Sequence, residues 1–89
     1  MKAIITVIGK DKVGIVSAIS LELAKLNINI LDISQTIMDE NFTMIMLVDL
    51  NKSTNSFEQI KNILTEVSDK LNISIRIQRE EIFKSMHTI

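Results

Sequence analysis

The sequence predicts an α+β sandwich, one four-stranded antiparallel sheet with two helices on one of its faces. Two observations predict it. Apolar residues repeat with a period of two, then about 3.6, two, two, about 3.6 and two, which reads strand-helix-strand-strand-helix-strand. The first and third strand-like runs are apolar on both alternating sides, as strands in the middle of a sheet are, while the other two are partly polar.

The first unit is a strand at residues 3–8, with Ala3, Ile5 and Val7 on one side and Ile4 and Ile8, around Thr6, on the other. From Val13 the period changes. Ile15, Val16, Ile19, Leu23 and Leu26 fall on one helical face, with Ser17, Ser20, Glu22 and Lys25 largely opposite. Asp11 stands at an N-cap position and Asn27 at a terminating one. The junction, Gly9-Lys10-Asp11-Lys12-Val13-Gly14-Ile15-Val16, is a short loop with two glycines. The first turn of a helix carries backbone N–H groups without intrahelical partners and a partial positive charge, which suits a small carboxylate or phosphate. Gly14 has no Cβ, so it either admits a ligand or neighbouring backbone, or lets the helix pack tightly on the sheet.

Residues 28–38 return to period two. Ile28 and Ile30 lie on one side and Leu31, Ile33 and Ile37 on the other, while Asp32, Ser34, Gln35 and Thr36 make this an edge strand that begins buried and ends wet. Asp39-Glu40-Asn41 is a tight-turn sequence, so a hairpin follows. The third strand, 42–50, sets Phe42, Met44, Met46, Val48 and Leu50 against Thr43, Ile45, Leu47 and Asp49. After a polar loop at 51–55, Ser56 with Gln59 makes a capping box ahead of Phe57, Ile60, Ile63, Leu64, Val67 and Leu71 on one helical face. Asn72 ends that helix. Ile73, Ile75 and Ile77 then alternate with Ser74, Arg76 and Gln78 as a half-exposed last strand. Residues 80–89 place Ile82, Phe83, Met86 and Ile89 at helical spacing, a short C-terminal helix. The order is that of the ferredoxin-like βαββαβ sandwich, in one domain spanning 1–89 with its helical tail at 80–89.

Two helices cover only one face of such a sheet, so the other should expose part of Ile4, Ile8, Ile45 and Leu47 or their alternates. An exposed apolar patch of that kind implies a partner, and a homodimer is expected, with the tail contributing to the interface. Eighty-nine residues with 46% apolar content allow a two-layer core with little to spare. Ten basic against eleven acidic residues, a net charge of −1, provide no field to draw in nucleic acid or an anionic membrane. No cysteine means no disulfide, thiolate metal site or Cys nucleophile. With no long apolar run, the chain reads as cytoplasmic.

Other chemistries lack their residues. His87 is the single histidine and reads as a surface residue, not a metal ligand. Met44 and Met46 share a strand face with Phe42 and Val48 and read as core. Glu80 and Glu81 are adjacent and do not face each other, so they are not a catalytic pair. RNA recognition on this sheet needs central aromatics, and only Phe42 is available. Lys10 and Lys12 offer charge to a phosphate, but no base or nucleophile accompanies them. Neither catalysis nor a cofactor is expected.

Three blocks in order, the glycine loop, Asn29-Ile30-Leu31-Asp32-Ile33-Ser34-Gln35 and Phe42-Thr43-Met44-Ile45-Met46-Leu47-Val48-Asp49, together resemble the ACT domain. The likeness is closer to the small stand-alone ACT proteins related to the glycine-cleavage repressor type. It departs at Val13, where many ACT domains have proline before the loop glycine. The resemblance implies a regulatory module that binds an amino acid between two domains, held by the first loop of one and the start of the second strand of the other. By position these are Asp11, Val13, Gly14 and Ile15 in the loop, with Asn29 and Ile30 in the strand. Backbone N–H groups near Gly14 would meet the α-carboxylate, and Asp11 or the Asn29 amide the α-ammonium. Asp11 as cap competes with Asp11 as ligand, and Asn29 is equally a turn residue. A protein-interaction or dimerisation module without a small-molecule ligand is the alternative.

Overall fold

In the computed structural model, which describes residues 1–10 and 13–81, the elements run β1 (Lys2–Gly9), α1 (Ile15–Lys25), β2 (Asn29–Met38), β3 (Asn41–Asp49), α2 (Phe57–Leu71) and β4 (Ser74–Arg79). The four strands form one antiparallel sheet in the order β2-β3-β1-β4, so the two runs that are apolar on both sides are indeed the central strands. This is the ferredoxin-like arrangement that the pattern predicts.

The core lies between one sheet face and the helices. Ala3, Ile5 and Val7 of β1 and Met44, Met46 and Val48 of β3 are fully buried against Ile19 and Leu23 of α1 and Ile60 and Leu64 of α2. On the opposite face Ile8 and Ile45 are 45% and 40% exposed and Leu47 is half-buried, as expected, whereas Ile4 is buried.

β2 carries a feature that its sequence encodes as a change of phase. Ile30 pairs with Val48, but Asp32 pairs with Leu47 and Ile33 with Met46, leaving Leu31 as an extra residue. This bulge keeps Ile30, Ile33 and Ile37 on the helix side although their numbering changes from even to odd. Strand alternation alone sets Ile30 and Ile33 on opposite sides; the bulge puts them together. The hairpin that follows closes through Asp39 and Glu40, with Asp39 at φ 56°.

Helix ends follow local chemistry. Asn27, just past α1, has φ 59° and its N–H donates to the Ala24 carbonyl at 3.0 Å. Asn72 caps α2 with φ 55° and ψ 48°, again the left-handed conformation that Asn tolerates. Glu80 and Glu81 are helical, and the rest of the expected tail, with Phe83, Met86 and His87, lies outside the described residues.

Candidate functional site

β1 ends at Gly9, which lies against Ile15 of α1 and Ile73 in the turn between α2 and β4. A Cβ on Gly9 would lie 2.8 Å from Ile73 Cγ2 and 3.0 Å from Ile15 Cδ1, closer than packed atoms allow. Gly9 is therefore the glycine of close packing. Gly14 is the opposite case. It is the N-cap of α1 with φ 80° and ψ −14°, and a Cβ there would meet nothing within 4 Å. Tight packing of the helix on the sheet does not explain Gly14; its left-handed backbone does, and the space beside it is open.

The start of α1 corrects the expected N-cap. The helix begins at Ile15 behind Gly14, so Asp11 is not the capping residue; its own position lies outside the described residues. Among the described residues no side chain caps this helix, and its first turn has no acidic residue. The first intrahelical bond runs from the Ala18 N–H to the Gly14 carbonyl at 3.0 Å, and the Ser17 hydroxyl also donates to that carbonyl, at 3.2 Å. The Ile15, Val16 and Ser17 N–H groups precede that bond and so have no intrahelical acceptor.

Beside this loop is a groove of ≈ 570 Å³ that the sequence did not reveal. Lys10, Val13 and Ile15 form one wall, and Asn41, Asn72 and Ser74 bring polar groups from the start of β3 and the turn between α2 and β4. Ile8, Leu71 and Ile73 add apolar surface. Asn72 was legible as a helix terminator, but nothing in the linear pattern places it next to Lys10. Val13, 83% exposed, stands at the mouth. Ile15 is 4% exposed, so its side chain belongs to the core.

Asn29 and Ile30 are elsewhere in the chain. They pair with Asp49 and Val48 of β3, and Asp49 pairs in turn with Lys2, so they sit at the far end of the sheet from the loop. Lys2 to Gly9 spans roughly 23 Å at about 3.3 Å per residue. One copy therefore does not bring the two halves of the expected site together. Among the described residues no cluster of His, Asp or Glu could hold a metal ion, and no helix is long and apolar enough to cross a membrane.

Comparison with known proteins agrees with this fold. The ACT domain profile matches residues 2–78. A UPF0237 protein of Clostridium acetobutylicum is 62% identical over 89 residues, covering 100% of both chains. The solved structure of an ACT domain protein from Streptococcus pneumoniae superposes with a TM-score of 0.83 at 47% identity, over 93% of each chain. A protein assigned as a glycine cleavage system transcriptional repressor shares the fold with a TM-score of 0.77 at 17% identity, over 86% of this chain and 45% of its own.

Proposed function

The chain belongs to the ACT domain family, regulatory ligand-binding modules, and from that premise we propose that it is a non-catalytic sensor whose paired copies bind a small amino acid or related metabolite between them. The observation that carries the pairing of copies in this reading is the state of β2. It is an edge strand in which every residue but Ile30 is exposed, including Leu31 at 43%, Ile33 at 38%, Ile37 at 61% and Met38 at 67%. Bare edges with apolar side chains are templates for another strand.

Antiparallel pairing of two β2 strands about a two-fold axis sets the start of one beside the end of the other. The end of β2 lies on the loop side, because Ile37 pairs with Phe42 and Phe42 with Gly9. Such a dimer carries Asn29 and Ile30 of one copy toward the Val13–Gly14–Ile15 turn of the other. The separation of these residues within one chain is thus what a shared site requires. At that turn backbone N–H groups receive the carboxylate, Lys10 adds charge from the neighbouring groove, and the Asn29 amide is available to an ammonium group. Asp11, adjacent in sequence to Lys10, is a second partner for the ammonium in this reading. The module works in the cytoplasm without cofactor and has no direct contact with nucleic acid or membrane.

A thermal-shift screen of the purified chain against amino acids and small carboxylates tests the proposal. A ligand that binds only the native state adds about 2.7 kcal/mol of apparent stability at a hundredfold excess over its dissociation constant. One compound should raise the melting temperature of the wild type and leave Gly14→Leu unmoved. A flat screen on a folded dimer sinks the sensor and leaves the interaction module, which the exposed β2 edge supports equally.

A further inference from the structure

The groove beside the start of α1 has a chemistry of its own. β1 runs between β3 and β4, and its end is flanked by both: Gly9 pairs with Phe42 of β3, and Ile8 with Ser74 of β4. Lys10 therefore leaves the sheet with Asn41 on one side and the turn carrying Asn72 and Ser74 on the other, and all four border the ≈ 570 Å³ groove. Among the described residues that line it, Lys10 is the one charged side chain, and no carboxylate is present. Asn41 and Asn72 bring amide donors and Ser74 a hydroxyl. Ile8, Leu71 and Ile73 offer apolar cover to a short run of methylenes. Val13 and Ile15 belong to the same lining, so the groove opens directly beside the turn whose first N–H groups have no intrahelical acceptor.

We infer that the amino acid bound at this turn is a dicarboxylic one. Its α-carboxylate meets the N–H groups at the start of α1, and its side-chain carboxylate enters the groove against Lys10 and the donors around it. This rests on the sensor reading and names the ligand class within it. The other side-chain classes fit less well. A cationic side chain meets Lys10 with no acidic residue in the lining to offset it. An apolar one strips water from Lys10, Asn41, Asn72 and Ser74 and gives them no partner. A neutral amide satisfies the donors but leaves the charge of Lys10 unpaired, and glycine or alanine leaves the groove empty.

Exposure sets how strongly the groove selects. Lys10 is exposed and the groove is open to water, so acid and amide should differ by about fivefold in affinity, the scale of a solvent-accessible ion pair. Added salt should narrow that difference.

Isothermal titration of the full chain with L-glutamate, L-aspartate, their amides and L-leucine tests the inference. One of the two acids should bind about fivefold more tightly than its amide, with L-leucine weaker still. Lys10→Met keeps a long unbranched side chain and removes the charge. It should bring the acid to the level of the amide, leave the affinity for the amide unchanged, and preserve the circular dichroism spectrum. Ser74→Ala should weaken the acid and leave L-leucine where it was. Equal affinity for acid and amide, L-leucine binding as tightly as the acids, or a Lys10→Met variant that loses acid and amide alike overturns the inference while the sensor stands. A chain that binds an amino acid outside this set in preference to both acids does the same. No binding by any amino acid overturns the sensor and this inference with it.

Discussion

The two helices of this chain begin in opposite ways. α2 starts with a complete capping box, in which Ser56 Oγ accepts the Gln59 N–H at 3.1 Å and Gln59 Oε1 accepts the Ser56 N–H at 2.8 Å. α1 starts behind a left-handed glycine, with no side-chain cap among the described residues. Both helices bury residues in the same core, so the difference is not one of packing. One helix start is completed by its own side chains; the other, among the described residues, has no side-chain cap. The proposed function places recognition at the start of α1, because a helix start without a side-chain cap suits an anionic ligand.

The sharpest way to break the contrast is at the glycine that does pack. Gly9→Val should destabilise the chain by about 2 kcal/mol, since its new atoms press on Ile73 and Ile15 across the end of the sheet. Chemical denaturation would read this as a lower midpoint with an unchanged slope. Gly14→Leu should cost less, about 1–2 kcal/mol for a left-handed backbone at φ 80° with open space around the side chain, and should abolish the ligand-induced shift. Large destabilisation with ligand response retained would reverse the roles assigned to the two glycines. The smallest effect is expected at the finished helix. Ser56→Ala should cost about 1 kcal/mol, or a drop of some 4–8 °C in melting temperature, and should leave any ligand response intact. A loss of response in that variant would mean that the two helix starts are coupled.

Several features were legible because they are local. Phe57–Leu71 follows directly from the capping box and one apolar stripe, and the positive-φ asparagines at 27 and 72 end helices where Asn is read as a terminator. The central places of β1 and β3 follow from apolar residues on both sides. The N-cap of α1 was misplaced because Asp11 is the better cap by residue type, while the turn of the chain makes Ile15 the first helical residue. The signal for the bulge was present, in the change from Ile30 to Ile33 and Ile37, yet only the partner strand reveals that these share a side.

By itself the sequence determined the order of elements, the buried stripe of each helix, the exposed apolar residues at Ile8 and Ile45, and the likeness to a family. Those depend on periodicity and on contacts a few residues apart, which residue types specify directly. Tertiary structure alone decided that Lys10, Asn41, Asn72 and Ser74 border one groove and that Asn29 lies a sheet-length from Gly14. The reason is register: the face and end of the sheet that a residue occupies are set by which strand it pairs with, and that pairing is a property of the assembled sheet.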